Sequence, residues 1–414
     1  MEFRAQAGDG MPPERRGVRV RVSGKSFAVC PLVGLLACLI VPLEAHSQTA
    51  RPSPAAASAT PQQMVDYKKR LAAYLAARNA FDEEADAYWS EISEKRRARI
   101  AKRRNGHVVV ASDYVLTQPP VYSGPPQPVD PSGGPPPSTK PRAYIPVVAD
   151  FLQGAREHFQ FVPRKPASEL DYKRTYARAA IAAGITRDQA VRVYGFEAGG
   201  NGKYDVQSGI DGERPNARAI STALGYNQLV TTNSTSLLAA HSAFILKSLR
   251  DKAAQSPPPR KQEIERTIAV VQRMIAFCKT VPVEWAAHEK LSVTSQGLGV
   301  HALNLDADVG PLLQTLKLAD SINFAKRKGL NATLTAAELE MMNLTGDGNG
   351  FDIVSMPQAL RPQIPTSNFF LRRGYERNPV ASRNNTVSKL LAATDAKMDR
   401  ETALQGAKDL AAAF

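Results

Sequence analysis

Eleven prolines fall between Pro119 and Pro146, with Gly133 and Gly134 among them. Proline brings no amide proton to a helix or a sheet, and its fixed φ favours an extended polyproline II backbone. No core can form in such a stretch. The sequence therefore predicts an extended linker over residues 106–143, with a domain boundary near Ala143 and folded structure confined to either side. Residues 107–116, at the start of this segment and ahead of its prolines, carry the chain's one strand-like pattern.

On the N-terminal side, residues 62–105 contain neither proline nor glycine. Tyr67, Leu71, Tyr74, Phe81, Ala85, Tyr88 and Ile92 recur with a heptad-like rhythm, which predicts one long helix. At 1.5 Å per residue it would span about 60 Å. A stripe of that length needs a partner, and the expectation is self-association, a partner helix or packing on the rest of the chain. Residues 48–61 form a low-complexity Ala/Ser/Pro segment.

Residues 1–47 have the layout of a secretory signal peptide. Arg15, Arg16, Arg19, Arg21 and Lys25 precede an apolar run over residues 27–43, and Ala45-His46-Ser47 supplies small residues for cleavage. Export to the periplasm is expected, with a retained membrane anchor as the alternative. Cys30 and Cys38 would leave with the signal, so the mature chain keeps Cys278 alone and forms no intrachain disulfide. Cys278 lies in an apolar helical run and reads as a buried small hydrophobe. Residues 1–47 hold six basic and four acidic side chains, so processing takes the net charge from +14 to +12. For an exported protein this basic surplus suits wall glycan with its peptide carboxylates, anionic lipid or outer-surface polysaccharide rather than nucleic acid, with a merely solubilising surface as the alternative.

Beyond the linker the apolar periodicity is helical nearly throughout. Helices are expected over residues 145–159, 170–183, 234–250, 260–279 and 308–328, and Thr335 with Glu338 forms a capping box for another that runs to Leu344. No sustained period-2 alternation occurs outside residues 107–116, so the fold class is all-α. The expected domain covers residues 144–394, followed by a helical tail over residues 395–414.

The chemistry concentrates in residues 186–234. Thr186 and Gln189 make a capping box, and Gly199-Gly200 supplies a stop, so a helix of about three turns should lie between them. Ala190, Val193, Tyr194 and Glu197 share one face of it. A carboxyl on an apolar face is desolvated, and in the last turn the helix dipole opposes its charge. Both effects raise its pKa, as a general acid requires. The plain alternative is a solvated glutamate, or one paired with Arg192 or Lys203.

A helix ending in glutamate, followed by Ser221, Ala223, Gly225, Gln228 and Leu229, resembles the soluble lytic transglycosylases of the lysozyme-like superfamily. Their usual text is a glutamate followed by serine, then GLMQ and an apolar residue. Here Ala198 follows Glu197, and residues 225–229 read GYNQL, with Asn227 in place of an apolar residue. A second patch over residues 334–378, with LTAAELEMMNLTG, IPTSNFF and GYERNP, resembles the C-terminal part of phage-associated and cell-wall transglycosylases. Together the patches span roughly half of the chain.

The resemblance implies a lysozyme-like domain that cleaves the MurNAc–GlcNAc bond of peptidoglycan with Glu197 as the single acid and base. It also implies Ser221, Gly225, Tyr226, Gln228 and Tyr375 as substrate-binding residues, with core packing against Phe369 and Phe370 as the alternative for Tyr375. Such enzymes use the substrate's own 6-hydroxyl and yield a 1,6-anhydro product. Asp205, Asp211 and Glu213 would serve instead if a positioned water did the work, as in a muramidase or a chitosanase-type hydrolase. A non-catalytic wall-binding scaffold on the same fold is the alternative from another class. No cofactor is expected, because neither a GxGxxG nor a phosphate-binding loop occurs. The six histidines form no HExxH, so no metal site is expected. In DGNGFD, residues 347–352, calcium-loop spacing would place Thr345 and Met356 as ligands, so a tight turn is the better account.

Overall fold

The computed structural model describes residues 59–133, 143–210 and 217–414. The expected signal peptide, Asp211 and Glu213 lie outside the described residues.

Each helix begins where local chemistry allows. The first, α1 (Pro61–Arg104), opens on a capping box between Thr60 and Gln63, with proline in its first turn. Then come α2 (Val148–Phe159), α3 (Glu169–Ala182), α4 (Arg187–Ala198), α5 (Thr231–Ala240) and α6 (Ser242–Ala254). They are followed by α7 (Pro258–Cys278), α8 (Trp285–Ser292), α9 (Ser295–His301), α10 (Gly310–Arg327) and α11 (Ala336–Thr345). The C-terminal part holds α12 (Asp347–Val354), α13 (Arg372–Arg377), α14 (Pro379–Arg383), α15 (Val387–Thr402) and α16 (Gln405–Ala412). Among the described residues there is no β-strand, only isolated bridges, so the chain is all-α.

The helices build two apolar cores. One gathers Tyr172 and Tyr176 of α3, Val193 and Tyr194 of α4, Leu339 and Met341 of α11, Ile353 of α12, Leu390 of α15 and Leu410 of α16. The other gathers Phe151 of α2, Leu237 of α5, Ile245 of α6, Val271 of α7, Val300 of α9 and Leu313 of α10. Residues 221–230 stitch the two together: Tyr226 belongs to the first core, while Leu224 and Leu229 belong to the second.

Several sequence expectations need correction. Residues 107–116 form no strand. The Asp113 carboxylate accepts from the Val110 amide at 2.8 Å and bends the backbone into a 3-10 turn, Ala111–Asp113. Strand-like pairing survives at one residue, where Val115 N–H and C=O are both bonded by the Asn368 side-chain amide at 3.0 and 2.8 Å. The helix expected over residues 234–250 is two helices that meet at His241, whose Nε2 lies 2.9 Å from Asp320. DGNGFD forms the helix α12 rather than a tight turn, and Asp352 is its buried anchor.

The long helix does not stand apart. Arg99 is 1% exposed and meets Asp352 at 2.8 Å, and Arg103 bonds the same carboxylate. Tyr114 donates to Asp352 at 2.6 Å. Linker residue Tyr122 folds back onto α1, with its ring 6.2 Å from Tyr74 and 5.5 Å from Phe81. The described residues from 59 onward accordingly fall in one compact unit, on both sides of the expected boundary near Ala143. Nor do residues 395–414 form a separate tail: α15 runs through residue 394, and α16 packs on α3 and α4.

Candidate active site

The helix α4 carries the site. At its start the Gln189 amide N–H donates to Thr186 Oγ1 at 3.2 Å, and Thr186 N–H donates to Gln189 Oε1 at 3.0 Å. At its end Gly199 and Gly200 adopt φ +69° and +66°. A Cβ on Gly200 would stand 2.3 Å from the Glu401 carbonyl oxygen, so only glycine lets the end of α4 sit against α15.

Ala190, Val193 and Tyr194 of α4 are fully buried, and Glu197, on the same face, is half-buried. Its Oε1 accepts from Asn343 Nδ2 of α11 at 2.8 Å. Neither Arg192 nor Lys203 holds it: Arg192 is engaged by Asp395 and Asp399 at 3.0 and 2.6 Å. One turn before Asn343, the fully buried Glu340 places its carboxyl against that of Glu197. Burial raises the pKa of Glu197, against the opposing pull of its hydrogen bonds and of the Lys397 charge. Burial, reinforced by the neighbouring Glu197 charge, raises Glu340 well above the carboxyl range. Lys397 lies over the Phe196 ring, 4.0 Å from its centroid, and donates to the Phe196 carbonyl at 2.7 Å.

The loop facing Glu197 is closed by reciprocal backbone bonds between Leu224 and Leu229 at 3.0 and 3.1 Å. Gly225 turns it at φ +82°, and Gln228 takes φ +46°, a left-handed value that a side chain reaches only under constraint. The constraint is a buried polar chain. Asn227 N–H and Nδ2 donate to the Gln314 side chain and carbonyl, both at 2.8 Å, and Asn227 Oδ1 accepts from Tyr176 at 3.0 Å. Gln314 continues to Asn304 at 2.9 Å, and Asn304 to Ser234 at 2.8 Å. Ser234 lies 2.7 Å from His301 Nδ1, and His301 Nε2 lies 2.9 Å from the Thr222 carbonyl. Burial pushes the His301 pKa down to about 4, so its ring is neutral near pH 7 and donates from Nε2. Asn227, a departure from the transglycosylase text, is thereby explained as a fully bonded core group.

Between α4 and this loop lies a cleft of about 310 Å³, lined by Glu197, Gln207, Ser208, Gly209, Ile210 and Gln228. Glu197 and Gln228 thus face one space. The Gln228 amide donates to the Gly225 and Val206 carbonyls at 2.8 and 3.1 Å, which fixes its plane. Ser221 sits behind the wall: its Oγ accepts from the Ala223 amide at 2.8 Å, and its carbonyl accepts from Gln207 Nε2 at 3.0 Å. Gly225 underlies the loop without lining the cleft.

Two tyrosines expected to bind substrate lie elsewhere. Tyr226 is 0% exposed, its ring 4.6 to 5.2 Å from those of Tyr172, Tyr176 and Tyr194, and its hydroxyl donates to Glu169. Tyr375 is buried against Trp89 of α1, 5.6 Å away, and Phe370, 6.2 Å away. Both aromatic faces are spent on packing. Asp205 is exposed and does not line the cleft.

Sequence reasoning missed Glu340 and Asn343. Their signal was available: two polar residues three apart, which share a helix face, interrupt the apolar run of Leu339, Met341, Met342 and Leu344.

A half-buried acid with raised pKa, beside a cleft lined by amides and a hydroxyl, can give a proton to a bound polar ligand and take one back. No protein-family model matches the chain, and neither curated proteins nor solved structures give a significant match.

Proposed function

We propose that the cleft is the active site of an exported, lysozyme-like lytic transglycosylase that cuts the MurNAc–GlcNAc bond of peptidoglycan. The observation that carries this reading is the placement of Glu197, with its raised pKa, on the same cleft as Gln228. Glu197 protonates the glycosidic oxygen as the bond to C1 breaks. The ionised carboxylate then takes the proton of the muramic 6-hydroxyl as that oxygen attacks C1, which closes the 1,6-anhydro ring. The substrate's N-acetyl group supports the positive charge between the two steps.

Single-carboxylate chemistry asks for one acid on the wall, whereas hydrolysis by a positioned water would draw its second from Asp211 or Glu213, which lie outside the described residues. Among the described residues, Glu197 is the only carboxylate lining the cleft, and Glu340 behind it is sealed from solvent. A glycosidase that activates water needs a second carboxylate several ångströms away across the sugar. Glu197→Gln keeps the shape and removes the transferable proton. Turnover of purified peptidoglycan should fall by about 10² or more, while co-sedimentation with the insoluble wall persists. A variant that turns over like the wild type contradicts the assignment.

A further inference from the structure

Glu340 is a charge-bearing residue in an apolar place. It is 0% exposed on α11, and neither of its carboxyl oxygens receives a hydrogen bond from an N–H or O–H donor. Yet it meets the Glu197 carboxyl in hydrogen-bonding contact. Two ionised carboxylates have lone pairs only and repel; the contact becomes a bond when the pair keeps one proton. The deeper group is the one for which ionisation costs more.

The charged groups on the neighbouring elements leave this proton in place. From α4 comes Glu197 itself, and from α15 comes Lys397, whose ammonium is already bonded to the Phe196 carbonyl. Lys317 of α10 and Asp347 of α12 pair with one another at 3.3 Å. Asp352 of α12 is taken by Arg99 and Arg103, and Glu338 of α11 meets Arg361 at 3.0 Å.

We propose that Glu340 is a positioning residue that stays protonated at neutral pH and donates a hydrogen bond to the Glu197 carboxyl. Glu197, held on its other side by Asn343, is then the member of the pair that exchanges a proton with the ligand. The inference rests on Glu197 being the acid of the cleft, so its test includes an arm that needs no turnover.

Infrared difference spectroscopy of the full protein reads that arm. At about pH 8, where ordinary carboxyls are ionised, the wild type should keep a carboxylic acid C=O band that Glu340→Gln removes and Glu197→Gln retains. A wild-type spectrum that loses no carboxylic acid band on Glu340→Gln overturns the proposal, whatever band the buried Asp306 retains. The second arm is kinetic. Gln at 340 still offers a neutral N–H donor, so Glu340→Gln should keep kcat within about threefold and leave the pH profile in place. Glu340→Met removes the donor and destabilises ionised Glu197. The alkaline limb, which reports loss of the Glu197 proton, should then move up by about one pH unit, with kcat falling and KM little changed. An unmoved limb in Glu340→Met, or a folded Glu340→Gln as inactive as Glu197→Gln, also overturns it. If the wild type releases no product, the reading of Glu197 fails, while the infrared band still decides where the proton lies.

Discussion

At Gly225 a methyl group would stand 2.6 Å from the Gln314 amide nitrogen, on a backbone whose φ is +82°. Both facts oppose any side chain, and Gln314 cannot withdraw without abandoning Asn227, Leu224 and Asn304. Gly225→Ala should therefore lose about 1–3 kcal/mol in urea unfolding. A loss under half a kilocalorie would mean that the loop relaxes. At this scale the sequence was partly legible. Glu197 could be placed because a helix has a period, and the period put it on a buried face beside Val193 and Tyr194. Tyr226 and Gln228 could not be told apart in the same way, because a loop has no period. Tertiary packing alone sends Tyr226 into a nest of tyrosines and Gln228 to the cleft.

The elements were read best where their ends are chemically marked. Capping boxes at Thr186 and Thr335 fixed the starts of α4 and α11, and Gly199-Gly200 fixed the end of α4. Failures came where a side chain overrides local pattern: Asp113 makes a turn of a would-be strand, and His241 divides a would-be single helix. The heptad-like stripe of α1 was legible, but its partner was not, since Tyr122 and Asp352 reach it from distant parts of the chain. The docking of α1 rests on Asp352, which receives Arg99, Arg103 and Tyr114. Asp352→Asn keeps the volume but strands the Arg99 charge at 1% exposure. Breaking a buried pair in this way should cost about 3–5 kcal/mol. Limited proteolysis should then cut α1 sooner than in the wild type, while unchanged cleavage would show that the aromatic contacts and the Arg96 bonds to the Asn368 and Phe370 carbonyls hold the helix without it.

Across the whole molecule, the two cores meet along α10 and at residues 221–230, and the cleft opens beside that loop. Helix α4 supplies the acid, α11 holds it from behind, and residues 221–230 set the opposite wall through Gln207 and Gln228. That arrangement explains why the described residues of 186–234 are central: they place Tyr226 in one core and Leu224 and Leu229 in the other, and they line the cleft. The all-α class follows from sequence because helical periodicity is local. The site follows only in part, because the Glu197–Glu340 pair joins helices about 140 residues apart. Mass analysis of the fragments released from purified peptidoglycan tests most directly whether Glu197 acts as the single acid and base. Muropeptides with 1,6-anhydromuramic ends are expected from the wild type, and almost none from Glu197→Gln. Reducing ends in their place would mean hydrolysis by a positioned water, and a wild type that binds the wall but releases nothing would contradict the catalytic assignment of Glu197.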